Sequence, residues 1–264
     1  MKIIKDLIYE FNKNNILFFA AQNTFYFILS IFPFLYILSN ILYVMPLPAQ
    51  NLKNALKMLF PEEVLEIIYS NINTIDYTPS VKSTIPYLLI ALWSSSMLIY
   101  SLKSVFAVLY GKKSTNNKLF TRILSIMLTT VFLIVTMTTS AVMFFASTFI
   151  SILITHFSTD YSPVLLSLIN LILIIFDTVL IYLILPPDRI KLSQAIPGAV
   201  AAILCIALSS YGFSYYVRYI ADYSRIYGAL GSVIVLLLWL YICSVIILSG
   251  GVINAKFTKE KDAP

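Results

Sequence analysis

Residues Tyr227–Phe257 read YGALGSVIVLLLWLYICSVIILSGGVINAKF, and this stretch decides the fold class. From Ile226 to Ala255 it carries no Asp, Glu, Lys or Arg, thirty residues in all. At about 1.5 Å per residue, a helix of that length exceeds the roughly 30 Å hydrocarbon core of a bilayer. The stretch therefore predicts a membrane span with length to spare. Ser232, Leu236, Trp239, Cys243, Ile246, Gly250 and Asn254 recur at steps of three and four, so they share one helical face. That face is small or polar at its ends and bulky in the middle. Small residues let helices approach closely in a membrane, so Gly228, Gly231, Gly250, Gly251 and Asn254 are the expected helix-packing positions.

The rest of the chain has the same character. Hydrophobic residues make up 59% and charged residues 11%, where a soluble domain carries roughly 25% charged residues. The expected class is all-α: a polytopic membrane protein forming one domain over residues 1–264, with too little other sequence for a second domain. An amphipathic segment over residues 1–13 is expected to lie in the membrane interface, with Ile3, Ile4, Leu7, Ile8 and Phe11 on its apolar face. Six spans are expected at 16–44, 85–110, 123–155, 163–185, 193–219 and 228–255. Residues 49–84 form the sizeable loop between spans and contain two short helical patterns, one opening at Pro61-Glu62-Glu63. The third span is charge-free for thirty-three residues, so it must tilt, bend or protrude.

Six spans put both termini on one side. Lys and Arg number twelve on that side and five on the other, with Lys103 inside a span. The bias predicts cytoplasmic termini in a plasma membrane. The net charge of +6 is thereby a membrane-orienting feature. Membrane lipids are the expected partners and nucleic acid is not. Oligomeric state is not legible.

Charges inside spans are expensive and mark candidate sites. Lys103 precedes Gly111 by eight residues and Asp177 precedes Leu185 by eight, so both lie roughly 12 Å from the same side. Equal depth and opposite sign suggest an ion pair. Arg218 and Asp222, at i, i+4 spacing, suggest a local pair. Gln22, Asn23, Ser95 and Thr136 are the polar groups that would border a wet cavity if they face one. Serine and threonine can instead bond back to their own helix, which would make them packing devices.

Enzyme signals are weak. The single His156 sits at an expected helix end, no metal-ligand spacing occurs, and no cofactor is implied. Cys205 and Cys243 read as small apolar fillers. Glu62-Glu63 is the one adjacent acidic pair, and neighbouring helical residues are not expected to converge on one site.

Several blocks together resemble a known family. Ala20-Ala21-Gln22, Tyr26 and Ser30-Ile31-Phe32-Pro33 form the first. Trp93-Ser94-Ser95-Ser96, Leu185-Pro186-Pro187 and Pro197-Gly198-Ala199 are weaker ones. The strongest runs from Tyr227-Gly228-Ala229-Leu230-Gly231 through Trp239-Leu240-Tyr241 and Gly250 to Asn254-Ala255. In order and spacing, the chain resembles the YihY/BrkB family of bacterial inner-membrane proteins, which also carries an older "ribonuclease BN" label. The resemblance covers nearly the whole chain and implies six helices in the plasma membrane. Transport and roles in envelope integrity are the activities it suggests; the polar residues on several spans point to movement of a small or amphiphilic solute, a lipid included, with a structural or envelope-organising role as the alternative. Two positions depart from the pattern: Asn23 stands where the family is usually apolar, and Val252 where it often has Glu. The nuclease label has no counterpart in these residues, because phosphodiester hydrolysis usually needs a metal cluster or a paired acid and base.

Overall fold

A computed structural model describes residues 9–44, 61–66, 81–112, 119–132, 134–135, 138–139, 142, 162–219 and 230–261. Every regular element among the described residues is helical. We label the longer ones α1 (Ile16–Val44), α2 (Val81–Leu109), α3 (Leu119–Phe132), α4 (Ser162–Ile184), α5 (Leu192–Tyr219) and α6 (Leu230–Lys261). Four of them, α2, α4, α5 and α6, are long and apolar enough among the described residues to cross a membrane. Ile16–Ile31 within α1, and α3, are shorter apolar stretches by the same measure.

Local chemistry sets the helix ends. Gly111 closes α2 with a positive φ of 73°, a conformation glycine adopts without a Cβ penalty. Lys112 N–H donates to the Ala107 carbonyl at 2.8 Å and Gly111 N–H to Val108 at 2.9 Å. Those two bonds are the paired closure that satisfies a helix's last carbonyls. At the start of α5, Lys191 N–H donates to Gln194 Oε1 at 2.7 Å while Gln194 N–H donates to the Lys191 carbonyl at 2.9 Å. This reciprocal arrangement covers orphan donors at the helix N-terminus. Lys112 also pairs with Asp188 and ties the turn after α2 to the turn after α4. Both side chains are about half exposed, so the pair adds little stability.

Helix α1 packs on α2 and α6, α6 on α5 and α2, and α4 on α5. One apolar cluster joins the starts of α1 and α5 to the ends of α2, α4 and α6, through residues such as Ile16, Phe106, Tyr182, Ala199 and Leu248. Helices α1 and α5 therefore run antiparallel to α2, α4 and α6. A second cluster lies toward the opposite end, with Trp239 fully buried against Phe213, Leu236 and Val64. Val64 reaches it from the helical turn at 62–66, which docks that part of the expected loop on the bundle.

Helix α3 departs from this pattern. Arg122, expected in a loop between spans, stands 4.6 Å from the Trp93 ring centroid, near the middle of α2. Arg122 also donates to the Trp93 carbonyl at 3.3 Å. Further along, Thr139 lies beside Asp177 in the last third of α4. Arg122 is thus held against α2, and Thr139, beyond the end of α3, against α4.

Candidate functional site

The structure places most of the sequence-predicted polar residues and separates the pair. Lys103 is half-buried on α2 and Asp177 half-buried on α4. The expected ion pair is not made. Asp177 Oδ2 instead accepts a hydrogen bond from Thr139 Oγ1 at 3.1 Å. Ion pairs are seen elsewhere, between Lys112 and Asp188 and between Arg218 and Glu62 and Glu63. Equal depth failed as a predictor because α2 and α4 are not close neighbours; α4 leans on α5. Asp177 Oδ1 is buried without a hydrogen-bond partner among the described residues.

A polar contact does form between α1 and α2. Asn23 is fully buried, and its Oδ1 accepts a bond from the Ser101 hydroxyl at 2.7 Å. Asn23 Nδ2 is buried and unpaired among the described residues. Ser244 Oγ and Trp239 Nε1 on α6 are in the same condition. Gln22, next to Asn23, is half-buried. The remaining hydroxyls follow the packing alternative. Ser95 donates to the Ala91 carbonyl, Thr24 to Ala20 at 2.8 Å and Thr129 to Ser125 at 2.7 Å. Thr136 and Gly228 lie outside the described residues.

Nearer the end of the bundle, α4, α5 and α6 meet at a junction of very close approach. A Cβ on Gly198 would strike the Gly250 carbonyl and lie 2.6 Å from the Asn254 side chain. A Cβ on Gly250 would strike Tyr182 Oη and lie 2.8 Å from the Gly198 carbonyl. On the next face of α6, a Cβ on Gly251 would lie 2.8 Å from the Phe106 ring. Asn254 is fully buried and stitches across the gap. Its Oδ1 accepts from Gly198 N–H at 2.7 Å, and its Nδ2 donates to the Ala195 carbonyl at 3.0 Å. Tyr182 Oη donates to the Ile247 carbonyl at 2.8 Å. Pro197 stands beside Gly198 inside α5. Gly231, at the far end of α6, is buried as well.

On that far side, sequence reasoning missed a convergence. Arg218 Nη2 lies 3.3 Å from Glu62 Oε2 and 3.3 Å from Glu63 Oε1. Ser214 Oγ lies 2.8 Å from both Glu63 oxygens. Adjacent glutamates do meet here, because the arginine side chain, and not a shared helical face, brings them together. Asp222, the expected partner of Arg218, lies outside the described residues.

With this geometry in hand, the relatives can be compared. The chain matches the family described as "Virulence factor BrkB" over residues 7–264. It belongs to the BrkB family. Within the BrkB comparison, the ribonuclease-like protein YfkH of Bacillus subtilis is 26% identical over 271 residues, covering 100% of this chain and 98% of that protein. A UPF0761 membrane protein of Xanthomonas campestris is 35% identical over 86 residues, 33% of this chain and 20% of that protein. One from Vibrio vulnificus is 36% identical over 75 residues, 28% of this chain and 24% of that protein. The matched segment is thus a quarter or less of either UPF0761 relative. No solved structure matches the chain. The BrkB family is one of membrane proteins, and the apolar helices agree with that.

Proposed function

We propose that this chain is a six-span membrane protein, with both termini on the cytoplasmic side, that binds and translocates a small or amphiphilic solute, lipids included. What carries this reading is the set of buried polar atoms left unpaired within the helices: Asp177 Oδ1, Asn23 Nδ2 and Ser244 Oγ. Buried polar groups in a purely structural bundle are normally hydrogen-bonded. An ionisable group at membrane depth is costly and by default marks a solute or proton path. In the proposed orientation the junction at Gly198, Gly250 and Tyr182 lies nearer the cytoplasmic end than Asp177 and Ser244. A solute would then meet those two groups from the outer side.

A structural role in the envelope is the second reading. It is favoured by the hydroxyls that bond their own helices and by the stitched junction. The ribonuclease-like name of YfkH adds a third. Among the described residues, no three His, Cys, Asp or Glu side chains gather to hold a metal. Reconstitution separates the first two. Purified protein in liposomes is assayed for flux of fluorescent phospholipids and of a panel of small solutes. Translocation should be seen, and Asp177→Asn should change its rate without altering the melting profile. Folded protein that moves nothing on either panel would leave the structural role standing. RNA cleavage lost on Glu62→Gln would establish the nuclease.

A further inference from the structure

From Tyr77 to Thr159 the chain has no Asp or Glu, a run of eighty-three residues that includes α2 and α3. The same run carries Lys82, Lys103, Lys112, Lys113, Lys118 and Arg122. Arg122 is held against the flank of a span. Its guanidinium carbon stands 4.6 Å from the Trp93 ring centroid. Trp93 comes eight residues after Ile85, where the apolar stretch of α2 begins, which is about 12 Å along the helix. A charge at that depth is costly and calls for a partner.

The helices around Arg122 supply no counter-charge of their own. Arg122 Nη2 donates to the Trp93 carbonyl at 3.3 Å, a long bond to an oxygen that also accepts from the Ser96 hydroxyl at 2.7 Å. Arg122 Nη1 is buried with no hydrogen-bond partner among the described residues. The hydroxyls nearby in sequence donate to their own helices, Ser94 to the Ile90 carbonyl at 2.6 Å and Ser125 to the Thr121 carbonyl at 2.8 Å. A guanidinium is planar and carries five donors, so a ring stacked on one face leaves its edges for an acceptor. The Trp93 side chain is 60% exposed on the outside of the bundle. In the membrane setting that flank meets lipid.

An oxyanion with two oxygens to offer fits a guanidinium fork, and phosphate is such a group. We propose that Arg122, seated on Trp93, binds a phosphate group at this flank. A turn of the side chain that gives up the long carbonyl bond brings Nη1 to the ligand. The source is either the headgroup of a phospholipid or free phosphate. This inference deepens the proposed reading by naming a phosphate-bearing solute, and rests on it for the membrane setting.

The test uses full-length protein purified in detergent with an equal mixture of phosphatidylglycerol and a monoglucosyl diacylglycerol of the same acyl chains. Retained lipid is counted by native mass spectrometry. The wild type should prefer phosphatidylglycerol by about tenfold, the worth of one hydrogen bond to a charged group. Arg122→Gln should abolish the preference. Arg122→Lys keeps the charge without the fork and should reduce it by about threefold. A second readout needs no variant. Of the two tryptophans, Trp239 is fully buried, so quenching by lipids brominated on the acyl chains reports Trp93. Brominated phosphatidylglycerol should quench more strongly than the brominated glycolipid. Equal retention of the two lipids, equal quenching by them, or a preference that survives Arg122→Gln would overturn the site and leave Arg122 as a clamp between helices. Loss of the preference on adding inorganic phosphate assigns the free ion as ligand, and persistence assigns the lipid. Lipid preference without flux in liposomes leaves the site standing and removes translocation. Flux without preference removes the site alone.

Discussion

Gly250→Ala adds one methyl group at the tightest point of the bundle. The new Cβ would occupy the space of Tyr182 Oη and sit 2.8 Å from the Tyr182 ζ carbon and from the Gly198 carbonyl. Tyr182 cannot simply swing away. It is 1% exposed, packs against Phe106 at 6.1 Å between ring centroids, and its hydroxyl donates to the Ile247 carbonyl. Overpacking a close-packed interior costs about 1–3 kcal/mol. Displacing the hydroxyl from its acceptor leaves a buried polar group, which costs about 1–3 kcal/mol more. Alanine recovers about 1 kcal/mol of helix propensity over glycine. The net expectation is a destabilisation of about 3 kcal/mol. For a chain of this size that lowers the melting temperature by about 6–12 °C. Thermal unfolding in detergent, followed by circular dichroism or tryptophan fluorescence, measures it. Tyr182→Phe removes the atom that collides first, so Gly250→Ala should cost less in that background than alone. Gly250→Leu should be worse than either and lower the folded yield. An unchanged melting temperature for Gly250→Ala would refute the close approach and the argument built on it.

Three further outcomes follow from the same geometry. Asn254→Ala removes two buried hydrogen bonds and leaves Gly198 N–H without its acceptor, so it should destabilise by about 2–4 kcal/mol; a loss below 1 kcal/mol in detergent unfolding would show that the stitch is dispensable. Lys103→Ala and Asp177→Asn should be additive within about 0.5 kcal/mol in a double-mutant cycle, because the two groups do not pair; a larger coupling would restore the pair. A cysteine placed at Asn73 should react with an impermeant thiol reagent added to sealed cells, whereas one at Lys259 should not; labelling at Lys259 would sink the proposed orientation.

Hydropathy was enough to place the helices, because a charge-free run long enough to cross a bilayer has few alternatives in water or lipid. Helices α1, α2, α4 and α5 begin within a few residues of the expected starts, and α6 runs past the expected end at 255 to Lys261. That overrun was legible in principle: Lys256, Lys259 and Lys261 sit in the last turns, where cations complement the helix dipole. The glycines of α6 were also legible, since clustered Gly in a helix interior needs a steric reason. Their counterparts were harder to see. Tyr182 and Phe106 look like ordinary apolar residues of their own helices, and only the assembled bundle turns them towards Gly250 and Gly251.

What the pattern could not supply was azimuth and adjacency. Depth along a span follows from counting residues; the direction in which a side chain points among five neighbours does not. Lys103 and Asp177 have matching depths and different companions for that reason. Thr139, at a sequence separation of 38, takes the place of the lysine beside Asp177. The same gap explains the Glu62–Glu63 misjudgement. Adjacent residues point about 100° apart on a helix, yet the Arg218 guanidinium reaches across that angle and meets both carboxylates. Asn23 gives the sharpest case. Its amide sits on the core-facing side of α1, where an apolar residue would pack without an unpaired donor, and Ser101 satisfies its oxygen alone. A residue that leaves a buried donor unpaired carries a cost in stability. Substituting Asn23→Leu should therefore hold or raise the melting temperature. If the proposed function is right, it should also slow flux in liposomes. A rise in stability with flux unchanged would remove Asn23 from the solute path and leave Asp177 as its remaining anchor.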